Sequence, residues 1–207
     1  MRRSLAAAAA FQFLLALPSA AQLVPGLPLS LELRGGAGIP PGDFAVEETD
    51  ADLQVEAGPA LSGGLALHFA ERFLVYGGYN WTGFGCSECS TFELDGDVVD
   101  AGFGAGAGAE FGPLLAGISP WLRAGAIFHT LTFSQEGESS SSERGTGFEG
   151  RVGLNYPIPA LEALRVSPSL GYRAYSAKFD LEVGATDPSR TVAVSYLSAD
   201  LGVSFTF

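Results

Sequence analysis

Two cysteines are the first candidates for chemistry in this chain. Cys86 and Cys89 are its only cysteines and stand three positions apart. Two thiols are too few for a tetrahedral zinc site, and no histidine lies near them in the sequence. No helix pattern follows them, so a thioredoxin-like redox role is not indicated. The pair is therefore a possible disulfide that staples a loop, with two free thiols as the alternative.

Charged side chains form the second candidate group, because they recur at alternate positions of apolar segments. Alternate positions of a strand point to one face, and a charge on a buried face is tolerable only when it is paired and hydrogen-bonded. The pattern therefore predicts an internal network of arginines with carboxylates. Its predicted members are Glu32, Arg34, Glu56, Arg123, Glu149, Arg151, Arg173 and Asp200.

The elements that must position these charges are strands with a period of two. In the final stretch, 197–207, every second residue is apolar and the residues between are small or polar. The same alternation predicts eight strands, at 29–38, 55–69, 73–82, 99–111, 118–132, 148–156, 165–176 and 191–207. In the upper part of the last strand, Val192, Val194 and Tyr196 are apolar in the opposite phase. We expect a bulge or a water-exposed wall there.

Polar loops and short turns alternate between the predicted strands. This asymmetry is typical of outer-membrane barrels, and no apolar run after the N-terminus reaches the length of a membrane-spanning helix. We predict an all-β, eight-stranded antiparallel up-and-down transmembrane β-barrel. A soluble, lipocalin-like barrel with its apolar face inside is the alternative. The glycine-rich face is the one small enough to crowd inward, which favours the membrane barrel.

The N-terminus reads as a leader. Arg2 and Arg3 precede an apolar segment, and small residues at 19–21 fit a cleavage site. We predict a signal peptide at 1–21, a lead-in at 22–28 and the barrel domain at 29–207. An N-terminal membrane anchor is the alternative, although the apolar segment is short for a span.

The alternating final strand ending on Phe207 resembles the last strand of bacterial outer-membrane barrels. The chain is similar to the small eight-stranded members of that class, the OmpA-like transmembrane barrel and the attachment and opacity proteins. The resemblance implies that Phe207 is an insertion signal read by the barrel-insertion machinery. It also implies an integral protein of the outer membrane that contacts lipid and lipopolysaccharide.

Enzymes on this architecture give a further test. Lipid A deacylases use a His and a Ser two positions apart on a strand, together with a Glu. Here Leu131 stands where that Ser would follow His129, so the reactive pattern is absent. We therefore expect no enzyme activity and assign no catalytic residue; a lipid-modifying enzyme is the least favoured alternative.

The composition limits the classes of partner that the protein could bind. The formal net charge of -12 argues against nucleic-acid binding, which needs a basic surface. The acidic loops could contact divalent cations or a basic partner, but no calcium-loop spacing is present and no metal or cofactor is expected. We expect a non-enzymatic protein with a structural or surface-interaction role and an extracellular partner that the sequence does not identify. A narrow pore for ions or small solutes is the alternative.

Overall fold

A computed structural model describes residues 28–47, 52–69, 72–89, 94–114, 117–135, 138–179 and 190–207. The predicted signal peptide at 1–21 and nearly all of the lead-in lie outside these ranges. Within them, no helix is long and apolar enough to cross a membrane.

Eight antiparallel strands form a closed barrel, which confirms the predicted fold class. Each wall strand pairs with its neighbours around the ring, and the last pairs with the first. The wall strands are β1 (Leu29–Ile39), β4 (Gly58–His68), β5 (Phe73–Cys89), β6 (Leu94–Glu110), β7 (Ser119–Gln135), β9 (Gly145–Ile158), β10 (Leu161–Phe179) and β11 (Arg190–Thr206). Three short strands complete the set, namely β2 (Phe44–Val46), β3 (Asp52–Glu56) and β8 (Glu138–Ser141).

The ring closes where the two ends of the domain meet. β1 and β11 pair without a break from Ser30 opposite Thr206 to Ile39 opposite Leu197. Beyond the last pair, the Phe207 amide donates to the Leu29 carbonyl oxygen at 2.9 Å. Closure leaves no open edge in this part of the wall, as a sheet in hydrocarbon requires.

The lower part of the barrel, which we define as the part on the side of the short turns, is apolar outside. In the described residues, 24 large apolar side chains are exposed, and on the wall strands all of them lie at or below the level of Ile39, Tyr79 and Leu197. Soluble monomers rarely expose so continuous an apolar surface. From Leu197 to Phe207, at ~3.4 Å per residue and a tilt of ~40°, the band is roughly 25 Å tall, the thickness of the apolar belt of outer-membrane barrels.

The upper part, on the loop side, has the opposite polarity. β1 and β4 are short and stop below it, and the β2–β3 hairpin fills their place by pairing with β11 on one side and β5 on the other. Inside this part lies a buried apolar core, while the outward positions carry small and polar residues such as Thr146 and Ser176. The core contains Phe44, Val46, Leu53, Phe84, Cys86, Val98, Ile127, Leu131, Tyr175, Ala177, Phe179, Val192, Val194 and Tyr196.

The expected bulge or water-exposed wall at Val192, Val194 and Tyr196 is wrong. β11 pairs with β10 without a register shift from Arg190 to Phe205, so its phase never changes. The three side chains are at most 3 % exposed and point into the barrel. They are apolar because the interior itself changes from polar to apolar at this height.

The same change explains why several strands are longer than predicted. β5 continues past 82 to Cys89, β6 begins at Leu94 rather than at 99, and β7 continues into a hairpin with β8 in a segment that was predicted to be a loop. The prediction followed apolar residues on the outward face, and that pattern stops where the wall leaves the apolar band.

Candidate functional site in the lumen

Glycines on the lumen side make room for the large side chains opposite them. A Cβ at Gly153 would lie 2.4 Å from the Trp121 ring, and one at Gly108 would lie 2.7 Å from Cγ of Arg123. Both distances are shorter than atoms of neighbouring side chains can approach. The alternating glycines of the wall are thus what permits a lumen filled by a few large polar residues.

The lowest layer of the lumen is built on one carboxylate and two arginines. Arg123 holds Glu32 with two hydrogen bonds, from Nη1 to Oε2 at 2.5 Å and from Nη2 to Oε1 at 2.6 Å. Arg34 donates to the same Oε2 at 3.1 Å. Both guanidinium groups lie over the ring of Trp121, 4.8 and 4.9 Å from its centre, and the indole N–H donates to Ser167. Side chains therefore fill the turn-side end of the lumen.

A second ion pair lies beside this layer. Nη2 of Arg151 is 3.6 Å from Oδ2 of Asp200, which also accepts a hydrogen bond from the Ser198 hydroxyl. The arginine and aspartate side chains are 11 % and 5 % exposed. This distance is longer than a direct charge-assisted hydrogen bond, so the Arg151–Asp200 pair is looser than the Arg123–Glu32 pair.

The middle layer is centred on Arg173, which is 3 % exposed. Its Nε donates to Glu149 at 3.3 Å, its Nη2 donates to Oδ1 of Asn80 at 2.6 Å, and its Nη1 donates to the Tyr196 hydroxyl at 2.9 Å. Glu149 also accepts from the Tyr76 hydroxyl at 3.0 Å. Each guanidinium nitrogen of this buried arginine therefore has a partner.

The top polar layer surrounds Asp100. The hydroxyls of Tyr175 and Tyr196 donate to its two oxygens at 2.7 and 2.5 Å, and Nδ1 of His129 donates at 2.8 Å. Asp100 and His129 are fully buried. The two tyrosine rings belong to the apolar core above, so their hydroxyls join that core to the polar layers below.

The structure thus brings together seven of the eight residues predicted to form the lumen network. Glu56 is the exception and that prediction is wrong, because its side chain is exposed on β3. The register along β5 shifts by one residue between Val55 opposite Cys86 and Ala60 opposite Thr82. The face that points inward therefore changes from odd to even positions, and simple alternation fails across the shift.

Sequence reasoning left most of the other lumen side chains out of the predicted network. Its omitted members include Asp100, Tyr175, Tyr196, Asn80, Tyr76 and Trp121, whereas the phase of β7 does place His129 inward. Two of them were within reach: Asp100 lies on the lumen phase of β6, and continuing the phase of Asp200 up β11 leads to Tyr196. The others are aromatic or amide residues, which alternation alone does not distinguish from wall residues.

The positions considered for reactive chemistry lie at different heights of the barrel. Leu131 is fully buried in the apolar core, where no lipid could reach a nucleophile at that position. His68 is half-buried at the turn-side end, where its Nε2 is 3.1 Å from the Ser30 hydroxyl. In the described part of the chain, no group of three His, Cys, Asp or Glu side chains could hold a metal ion.

The remaining predicted residues lie at the two ends of the barrel. Cys86 lies on β5 with its side chain buried, and the side chain of Cys89 lies outside the described residues, so a disulfide between the two stays a prediction. The Phe207 ring is partly exposed at the bottom of the apolar band and lies edge-on to Phe205 at 5.0 Å. Its role as an insertion signal stays a prediction too.

Comparison with known proteins shows the same fold. No protein-family model matches the chain, and no curated protein matches it. Among solved structures, it is similar to the outer membrane protein OprG from Pseudomonas aeruginosa, with 15% identity, a TM-score of 0.60 and coverage of 86% of this chain and 95% of that one. Neisserial surface protein A (NspA) gives 13% identity, a TM-score of 0.57 and coverage of 88% and 99%. A major outer membrane protein from Thermus thermophilus gives 12% identity, a TM-score of 0.54 and coverage of 88% and 100%.

Proposed function

We propose that this protein is a non-enzymatic outer-membrane barrel with a filled lumen, whose upper part stands above the lipid as a rigid surface structure. The single observation that carries the proposal is the inversion of polarity along the same strands. An apolar outer surface suits lipid, and a polar outer surface around an apolar core suits water.

Placement in the outer membrane is supported by the apolar band and by the solved structures that share the fold. The band has aromatic side chains at both of its edges, with Phe73, Phe111 and Phe207 below and Tyr79 and Phe148 above. Aromatic rings at both interfaces anchor a membrane protein at its depth. The band therefore fixes which part of the barrel lipid would cover.

The side chains that fill the lumen support a structural or surface role. Layers of buried ion pairs and hydrogen bonds occupy its lower part, and packed apolar side chains occupy its upper part. Among the described residues, the strands lead up to a rim formed in part by the β2–β3 and β7–β8 hairpins. We infer that this rim presents the loops, which would contact an extracellular partner or neighbouring lipopolysaccharide.

The narrow pore is the competing function, and the lumen arginines separate the two. A conducting path needs arginines that face continuous water, whereas Arg123, Arg151 and Arg173 each lie beside a carboxylate. Charges paired in this way would have to separate before an ion could pass. The pairing supports the closed barrel.

Conductance of the purified protein in planar lipid bilayers tests this function. We expect no stable channel from the wild-type barrel at neutral pH. The double variant Tyr196→Ala with Val194→Ala removes two neighbouring inward side chains of β11 from the upper core and should raise the conductance. Steady ion-selective channels from the wild-type protein, verified as folded by its heat-modifiable migration in gels, would favour the pore instead.

A further inference from the structure

A small, partly open cavity lies in the lower half of the lumen. It has a volume of about 50 Å³, and its polar lining comes chiefly from Glu32, Arg34, Tyr76, Asn80, Arg123 and Arg151. A cavity needs only ~10–15 Å³ of such volume to hold one water. The space is therefore sufficient for a small ion together with a water.

The lining has more positive than negative charge. Arg34 and Arg123 share the single carboxylate of Glu32, so this group of three carries one net positive charge. Arg151 brings a third guanidinium to the cavity, and its own partner Asp200 is 3.6 Å away. All four cavity-lining charges are largely buried, where an uncompensated charge is costly.

One donor at this site has no partner among the described residues. Nε of Arg123 is buried and makes no hydrogen bond with them, whereas both Nη atoms of Arg123 bind Glu32. Asn80 also lines the cavity, and its Oδ1 accepts a hydrogen bond from Arg173. A donor-rich cavity with excess positive charge calls for an acceptor that carries negative charge.

We propose that this cavity binds one small monovalent anion, with chloride as the natural occupant. Chloride supplies the missing negative charge and accepts hydrogen bonds from several directions, and it fits the volume. A large organic anion such as gluconate does not fit. The anion completes the charge balance of the lowest layer and so stabilises the folded barrel, a role separate from any surface function of the loops.

The test compares stability in sodium chloride with stability in sodium gluconate at equal ionic strength. The full-length mature protein is folded into lipid vesicles in each salt, and urea unfolding is followed by gel mobility with and without heating. A ligand that binds only the folded state lowers the unfolding constant by about tenfold for each tenfold rise in its concentration above saturation. We expect that dependence in chloride and not in gluconate.

Two single-arginine variants make the result specific. Arg34→Gln leaves Arg123 and Glu32 as a neutral pair, so it removes the excess positive charge of the cavity and should abolish the chloride dependence. Arg165→Gln removes one guanidinium from an ion pair of 2.7 Å at the turn-side end, outside the cavity lining, and should leave the dependence unchanged. Equal stability in the two salts, or a dependence that survives in the cavity variant, would overturn the proposal.

Bromide gives a readout that does not depend on any variant folding. Crystals of the wild-type protein grown in sodium bromide should show an anomalous scattering peak among Arg34, Arg123 and Arg151. A cavity that holds only water in well-ordered bromide crystals would contradict the assignment, whatever the unfolding curves show.

Discussion

The lower and upper halves of this barrel share most of their strands, but the polarity of the outward and inward faces is opposite in the two halves. On β11, Leu201 and Val203 face outward to the apolar band, whereas the outward Ser195 above them is polar. The inward side changes in the opposite sense, from Asp200 to Val194. In each half the outward side chains match the surroundings, apolar in the band and polar above it, and the register of β11 with β10 does not shift.

The comparison teaches that alternation identifies a strand but not which of its faces is apolar. In lipid, the wall strands bury polar side chains and expose apolar ones. Above the lipid the wall is in contact with water, so the hydrophobic effect favours apolar side chains on the inward face. A chain that crosses the boundary must exchange the two faces, as this one does at about the level of Leu197.

The largest expected effect comes from the buried ion pairs of the lower half. Glu32→Leu leaves Arg34 and Arg123 as two buried like charges without their shared carboxylate, and breaking a buried pair in this way costs about 3–5 kcal/mol. The control is Glu110→Leu, which removes a partly exposed pair with Arg165 at the turn-side end and should cost ~0–1 kcal/mol. Urea unfolding in vesicles measures both. Equal losses of unfolding free energy in the two variants would mean that water reaches the lower lumen as readily as it reaches the turn-side end.

The upper half should respond as the core of a water-soluble barrel does. Leu131→Ala empties part of a fully buried site and should cost about 2–5 kcal/mol. Leu122→Ala, on the same strand but facing outward in the apolar band, leaves no cavity and should cost only the transfer of the lost carbons, about 1–2 kcal/mol. A Leu131→Ala effect no greater than that of Leu122→Ala would remove the distinction between the halves.

A charge on the outer wall should discriminate the halves most simply. Leu201→Arg places a cation on the lipid-facing surface and should cost about 2–4 kcal/mol near the midplane. Ser195→Arg puts the same side chain on the outward face of the same strand, above the band, and should change stability by no more than ~0.5 kcal/mol. Folding yield into vesicles and the urea midpoint report the difference. Similar penalties for both would extend the lipid over the upper half.

The sequence was sufficient to predict the fold of the lower half, where apolar side chains point outward and polar side chains point inward. The alternation of 197–207 predicts both the strand and its orientation, and seven of the eight charged residues chosen by phase lie together in the lumen. These predictions rest on local patterning, which a period of two makes visible.

What the sequence could not supply depends on contacts between distant strands. The one-residue shift after Glu56 arises because β3 and β4 share a partner strand but not a register. The apolar core of the upper half is assembled from strands far apart in the chain, so Val194 and Phe84 read singly as out of phase or as part of a loop. The Asp100 cluster likewise needs Tyr175, which lies 75 positions away in the chain.

The central claim is tested most directly by where water reaches the outer wall. Thr146→Cys and Val152→Cys are a matched pair, because both positions are exposed and point outward on β9, one above the apolar band and one within it. The barrel is folded into lipid vesicles and treated with a water-soluble maleimide that does not enter lipid. We predict rapid labelling at Thr146→Cys and protection at Val152→Cys until detergent is added. Protection of both positions, or rapid labelling of both before detergent, would contradict a membrane boundary that crosses the strands at the polarity inversion.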